Sequence, residues 1–417
     1  MSHLSIYNEF ERAEQACVRA RFVLTFPPAR ITMKGKGEDD SKKEQCMKII
    51  HTADVHLDSK CVRHFPPKQA KERRDELLLT FLSLVKTAAE QGVEAIIIAG
   101  DLFDGVKVSA TARDAVLSAF RDNPEITFYY LCGNHDALNP TELFGPLPEN
   151  VKLFGNGFTS YELTGRDGET VVVTGAEAVG TDAAVLASSL LLDHAKCNIV
   201  VLHGQETAGS GAGEQEVIPV KSYRNRGIDY LALGHIHAPK AEKLDARGSY
   251  AYCGCLEGRG FDECGVKGYR LLSVQNGQIA SEFVPFAKRT MWELSVPVTG
   301  LLTSEQVIAK ARELAAEQGI KGKDMVKLVL SGEKDLEAEI DEKYIGKTLS
   351  EDWHFVKVTD RTAARTDYTK YRLDPTLRGE FVRSIEEAVS KGELTEEEAG
   401  RMIRLGVRIL SGEERLA

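Results

Sequence analysis

With 417 residues, 42% of them hydrophobic and 28% charged, the chain has room for two or three domains and at least one large core, in the range of ordinary globular proteins. A formal net charge of −10 counts against a broad basic surface for nucleic acid, though not against a local phosphate cleft where bound divalent cations reverse the field. No apolar run approaches the ~20 residues that span a bilayer, and eight cysteines without a secretory signal fit a reducing, cytoplasmic setting.

Residues 1–46 show no clean helical or strand period and carry the polar run Lys34-Gly35-Lys36-Gly37-Glu38-Asp39-Asp40-Ser41-Lys42-Lys43. The apolar part, Phe22 to Phe26, is too short for a signal peptide. This segment reads as an extension, disordered or lying ahead of a natural start at Met47. Lys48 to Ala53 then reads as a strand that delivers Asp54-Val55-His56. A helix from about Lys68 to Gln91 follows, with Leu77, Phe81, Leu84 and Ala88 on one face and Gly92 as its stop. Ala95 to Ala99 is a fully apolar run that suits a strand buried on both faces, and Gly100-Asp101-Leu102-Phe103-Asp104 ends it. A helix near Ser109 to Arg121 leads to the strand Ile126 to Leu131 and its end, Gly133-Asn134-His135-Asp136. This βαβαβ alternation predicts a layered α/β domain.

Short strands at Val151 to Phe154 and Val171 to Thr174 and a helix near Ala183 to Leu192 precede the strand Asn198 to Leu202, which ends in His203-Gly204. Tyr230 to Leu233 ends in Gly234-His235-Ile236-His237, and a strand-like, glycine-rich pattern runs on to about Phe286. Cys253, Cys255 and Cys264 cluster, but a fourth ligand at zinc-site spacing is missing, so they read as ordinary buried or loop residues. The character changes near Lys288. Trp292 to Val298, Met325 to Leu330 and His354 to Val358 read as strands around a helix at Thr303 to Gln318, capped by Thr303 with Gln306 and stopped by Gly319. Two helices end the chain, one with Phe381, Ile385 and Val389 on a stripe, the next carrying Met402, Leu405 and Ile409. The expected division is an extension (1–46), a catalytic domain (47–288), a small α+β cap (289–365) and a helical segment (366–417). The last is either a hairpin docked on its own chain or a partner-binding surface.

Five strand ends thus supply Asp54, His56, Asp101, Asn134, His203, His235 and His237. Carboxylates, imidazoles and one amide oxygen suit Mn²⁺, Fe²⁺ or Zn²⁺ better than Mg²⁺ or Ca²⁺, which prefer all-oxygen shells. Seven ligands exceed what one such ion takes and suit two that share a carboxylate. Two ions ~3.5–4 Å apart activate water and clamp phosphoryl oxygens.

These blocks resemble those of the calcineurin-like metallophosphoesterases: Asp-x-His, Gly-Asp-x-x-Asp, Gly-Asn-His-Asp, a lone His, and Gly-His-x-His. Within that superfamily the chain is similar to the SbcD/YhaO-type DNA-repair exonucleases over about residues 47 to 290, including His51 to Ser59 and Gly258 to Gly268. The resemblance implies a sandwich of two central mixed β-sheets flanked by helices, with a cap and C-terminal helices. It implies that Asp54, His56, Asp101 and His237 hold one ion, most often Mn²⁺, and Asp101, Asn134, His203 and His235 the other, with Asp101 bridging. His135 would sit over the metals as a donor, Asp136 would orient it, and Asp104 would support from behind. His64, Arg259 and Lys267 are candidate substrate contacts; Lys60, Arg63 and Lys107 are basic but scattered in sequence. Cys253 and Cys255 stand where relatives have Pro and Asn.

Three activities compete on this reading. One is a metal-dependent DNA exonuclease whose C-terminal region pairs with a coiled-coil SMC-like ATPase, with homodimerisation left open. The second is a small-molecule phosphodiesterase on the same metal core, and the third a scaffold that does not catalyse. Every motif is intact, which disfavours the scaffold, and the cap-like module disfavours the small-molecule enzyme. No membrane association is expected.

Overall fold

Apolar strands that end together at one edge organise the molecule. The computed structural model describes residues 46–105, 107–178, 180–213, 216–335, 338–365, 371 and 373–410; the expected N-terminal extension lies outside these. In chain order come β1 (Met47–Thr52), α1 (Pro67–Glu90), β2 (Ala95–Ala99), α2 (Ala110–Arg121), β3 (Thr127–Leu131), α3 (Pro140–Phe144) and β4 (Val151–Leu153). Then follow β5 (Thr159–Thr164), β6 (Thr170–Gly175), α4 (Ala183–Ser189), β7 (Cys197–His203), β8 (Gln205–Thr207), β9 (Val217–Pro219) and β10 (Tyr230–Gly234). After these come β11 (Lys240–Lys243), β12 (Ser249–Tyr252) and the hairpin β13 (Gly268–Gln275) and β14 (Gln278–Pro285).

Two six-stranded sheets result, in the orders β14-β13-β1-β2-β3-β4 and β11-β12-β10-β7-β6-β5. Strands β1 to β4 are mutually parallel, as are β12, β10, β7 and β6, while the outer strands of the hairpins run antiparallel. Alternation along each strand divides the apolar side chains. Ile49, Ala95, Ile97, Tyr129, Val173, Ile199, Val201 and Ala232 face one another between the sheets. Ile50, Ile96 and Ile98 instead meet Leu77, Phe81 and Leu84 of α1 and Phe120 of α2. Val200, Leu202, Leu231 and Leu233 meet Leu186 of α4 on the far side. This is the expected layered sandwich, and it explains the uninterrupted apolar runs: both faces of each central strand are covered.

Next come β15 (Met291–Pro297), α5 (Ser304–Gln318), β16 (Met325–Ser331), β17 (Glu333–Asp335), α6 (Glu342–Leu349), β18 (Phe355–Asp360) and β19 (Ala363–Arg365). Strands β15, β16 and β18 form a parallel sheet with its own core, Leu294, Val296, Ile308, Leu328 and Ile345 among it. Thr303 and Gln306 make the expected capping box, and Gly319 closes α5 in the left-handed region at φ 72°. The sequence reading passed over α6, whose Gly346 weakens its helical signal, and over the largely exposed edge strand β5.

The last described elements are α7 (Leu377–Ser390) and α8 (Glu396–Leu410), packed through Val382, Ile385, Ala399, Ile403 and Val407. The stripe read on the last helix faces outward, with Met402, Leu405 and Ile409 42%, 49% and 56% exposed, while a second stripe packs against α7. A side chain at Gly406 would collide with the ring of Phe381, so this glycine decides which of two apolar stripes turns inward. Among the described residues no helix is long and apolar enough to cross a membrane.

Candidate metal centre

Parallel pairing brings the five strand ends to a common edge. Ile98 of β2 lies opposite Thr52 of β1, Leu131 of β3 opposite Ala99, and Gly234 of β10 opposite His203 of β7. Beyond the strands the backbone is strained. Asp54 (φ 50°), His56 (φ 48°), Asp101 (φ 54°) and His235 (φ 97°) all sit at positive φ. For non-glycine residues such conformations cost about 1–3 kcal/mol each and persist where the surroundings over-determine them. Here the amides of Asp54, His56 and Leu57 donate to the carbonyls of Gly100 (3.0 Å), Asp101 (2.9 Å) and Leu102 (2.9 Å), lacing the first two strand exits together. At Gly100 (φ 94°) a β-carbon would overlap the His203 imidazole, so the histidine reaches the first sheet only because the residue is glycine.

The side chains converge as acceptors. His203 Nδ1 lies 2.9 Å from the Ala99 carbonyl and therefore donates, which turns Nε2 toward Asn134 Oδ1 (3.0 Å) and Asp101 Oδ2 (3.4 Å). His237 Nδ1 donates to Glu263 Oε1 (2.7 Å), which turns its Nε2 toward His56 Nε2 (3.1 Å). Asp101 Oδ2 is also 3.6 Å from His56 Nε2, so this oxygen faces both groups. Ligand atoms of Asp54, His56 and His237 lie within 4.8 Å of one another, as do those of Asp54, Asp101 and His203. His235 joins them, its ring 5.3 Å from that of His203 and its amide donating 2.9 Å to Asp54 Oδ1. Facing lone pairs of imidazoles, carboxylates and an amide oxygen need positive charge between them, so the donor set fits divalent cations. The pKa directions express the same demand. Burial opposes a charge on His203, yet its hydrogen bond to Asp101 prevails and lifts it to about 9. Burial likewise opposes ionisation of Asp101, and His203 nonetheless carries that carboxyl well below the usual range.

His135 stands half-exposed at the mouth, its ring 4.9 Å from that of His56. Its Nδ1 lies 3.0 Å from Asp104 Oδ1, and this bond raises its pKa. The expected partner is thereby corrected: Asp104, not Asp136, orients His135. Asp136 instead accepts from the amides of Phe103 (2.9 Å), Gly133 (3.0 Å) and Leu102 (3.2 Å), tying the second and third strand exits together. Its side chain is turned away by these bonds, and burial pushes it up to about 6.

The three candidate substrate contacts separate. Lys267 is buried and donates to the His237 carbonyl (2.8 Å), so it braces the last strand exit and is corrected from a substrate contact to a structural one. Arg259 is held by Glu263 (Nη2 to Oε1, 2.8 Å) with Nη1 3.8 Å from Asp104 Oδ2, at the rim of the candidate metal ligands. His64 lies over Gly260, 3.4 Å from Asp262 and 21% exposed. Cys255, within ligand reach of His237 and Glu263, is buried, and burial pushes its thiol far up. Sequence reasoning missed Glu263, which holds both His237 and Arg259; its only signal was its place in the Gly258 to Gly268 segment.

Residues 47–239 match the family model of the calcineurin-like phosphoesterases. The chain is 29% identical over 296 residues to the uncharacterized metallophosphoesterase YhaO of Bacillus subtilis, covering 68% of this chain and 71% of that one. It is 25% identical over 268 residues to the DNA double-strand break repair protein Mre11 of Aeropyrum pernix, covering 60% of this chain and 64% of the relative, under two thirds of its length. A solved dimetal phosphatase from Danio rerio aligns at 10% identity and a TM-score of 0.38 over 58% of this chain and 99% of that one, too distant to bear on the site.

Proposed function

We propose that this chain, which belongs to the calcineurin-like metallophosphoesterases through residues 47–239 and is a phosphate-ester hydrolase, is a two-metal DNA exonuclease of DNA repair. The observation that carries the phosphodiester reading is the pair of ligand clusters sharing Asp54, with His135 poised beside them. The choice of DNA rests on the likeness to a relative named for double-strand break repair.

On this reading Asp54, His56, Asp101 and His237 hold one ion and Asp101, Asn134, His203 and His235 the other, with Mn²⁺ as the native metal. Such a pair, when bound, supplies an acidified water and positive charge for the phosphoryl oxygens. The protein's own groups do the rest. Ala99 and Glu263 keep the Nδ1 protons of His203 and His237 in place, so each presents Nε2 to the metals. Asp104 favours the protonated form of His135, leaving Nε2 to give a proton to a phosphoryl or leaving oxygen. A cytoplasmic setting belongs to the same reading, as does docking of a coiled-coil SMC-like ATPase on α7 and α8, where Met402, Leu405 and Ile409 are exposed.

The test gives the purified chain, with Mn²⁺ or Mg²⁺, end-labelled linear DNA and bis(p-nitrophenyl) phosphate in parallel. Metal-dependent shortening of DNA from its ends is expected; activity confined to the small diester overturns the nuclease reading in favour of a small-molecule phosphodiesterase. His135→Asn should retain its metals while losing about 10²–10⁴-fold in turnover. Deleting Thr376 to Ala417 should leave catalysis and abolish co-purification with the ATPase; an ATPase that still co-purifies refutes the docking surface.

A further inference from the structure

Three basic residues that the sequence leaves scattered meet in space. The loops after β1 and β2 enclose a cavity of about 430 Å³ lined by Lys60, Arg63 and Lys107, with Asp58, Val62 and Asp104 in its wall. Asp104 is the carboxylate that braces His135, so the cavity adjoins the metal centre. Both carboxylates are already engaged, Asp58 with the Ser109 amide at the start of α2 and Asp104 with His135. Among the described residues none of the three cations has an ion-pair partner. One cavity thus gathers three cations against two engaged carboxylates, a local positive balance in a chain whose net charge is −10. The volume lies within the ~300–1,000 Å³ range of ligand pockets, and Val62, 60% exposed, adds an apolar wall suited to a sugar or base.

We propose that this cavity is the subsite for the nucleotide neighbouring the scissile bond, with Lys60, Arg63 and Lys107 gripping that nucleotide's own phosphate. The assignment rests on the phosphodiesterase reading and deepens it: the enzyme selects substrates carrying a second phosphate beside the one it attacks. Cations beside the candidate ligands and not among them act on a polynucleotide and leave a diester with a single phosphate unsupported.

The probes are deoxythymidine 3′,5′-bisphosphate and deoxythymidine 5′-monophosphate, compared by calorimetric titration and as competitive inhibitors of bis(p-nitrophenyl) phosphate hydrolysis. The wild-type chain should bind the bisphosphate at least about tenfold more tightly, a difference of about 1.4 kcal/mol. Arg63→Ala and the double variant Lys60→Ala/Lys107→Ala should each bring that ratio toward one, whereas Lys86→Ala, which removes an exposed charge on α1, should leave it unaltered. Thermal unfolding of each variant shows whether it is folded, and Arg63→Lys serves where Arg63→Ala is not. A wild-type ratio near one, or a ratio unmoved by the cavity variants, overturns the subsite. The two readings fail separately: discrimination without DNA cleavage refutes the nuclease and keeps the cavity, and DNA cleavage without discrimination refutes the cavity alone.

Discussion

Glu263 shows how much one side chain can decide. It accepts from His237 Nδ1 (2.7 Å) and from Arg259 Nε (3.0 Å) and Nη2 (2.8 Å), joining a candidate metal ligand to an arginine at the rim. Burial opposes its ionisation, but His237 and Arg259 hold its carboxyl well below the usual range. Glu263→Gln keeps an acceptor for the imidazole and loses the charge; Glu263→Ala loses both. We expect metal affinity to fall about tenfold in the first and toward a hundredfold in the second, read as metal stoichiometry and Kd. Unchanged affinity in Glu263→Ala would show that His237 needs no support. Nothing in local spacing signals this role, because the two residues meet only after the chain has crossed a strand exit and a loop. The exchange of Asp104 and Asp136 has the same origin. Both follow strand ends at plausible spacing, and only the loop geometry decides which faces His135.

At the scale of elements, α1 is more than an apolar stripe. The fully buried Arg73 donates to Glu76 Oε2 (2.8 Å) and to the Gly258 carbonyl (2.7 Å), and pairs with Glu257 (2.5 Å). Arg289 Nε reaches Glu76 Oε1 (2.7 Å) and Lys288 Nζ lies 3.0 Å from the same oxygen, so one network binds α1 to the segment that opens the third sheet. Burial pushes the Glu76 carboxyl up, yet Lys288 and Arg73 bring it below its ordinary value. A carboxyl depressed in the folded state contributes stability that is complete above its unfolded pKa of about 4.3 and drains away as pH falls through the folded one. Thermal stability should therefore fall below about pH 4.3, and Glu76→Gln should be less stable at pH 7 by about 3–5 kcal/mol while losing this part of the acid slope. An acid slope identical in Glu76→Gln would remove Glu76 from the cause. The apolar face of α1 was legible from period alone. Arg73 and Glu76 were not, since charged residues on a helix ordinarily face water.

For the whole molecule the decisive feature is that Asp54, His56, Asp101 and Asn134 leave the first sheet while His203, His235 and His237 leave the second. Ions held by this set bind only the folded sandwich and bridge its halves. Chelation should lower the unfolding temperature and Mn²⁺ should restore it, by about 2.7 kcal/mol of stabilisation at a hundredfold excess over Kd. Scanning calorimetry with and without chelator checks this, and coincident transitions would argue against ions shared between the sheets. What the sequence determined by itself was local in cause: apolar runs broken by Gly and followed by Asp, Asn or His declare buried strands and the chemistry at their ends, because burial and turn geometry act over a few residues. Tertiary structure alone decided which carboxylate orients His135, which stripe of α8 turns inward, and that Glu263 and three scattered cations stand beside the candidate metal ligands. Those outcomes depend on strand order, on backbone held at positive φ and on close approaches allowed by single glycines, contacts between residues far apart in the chain that no local pattern encodes.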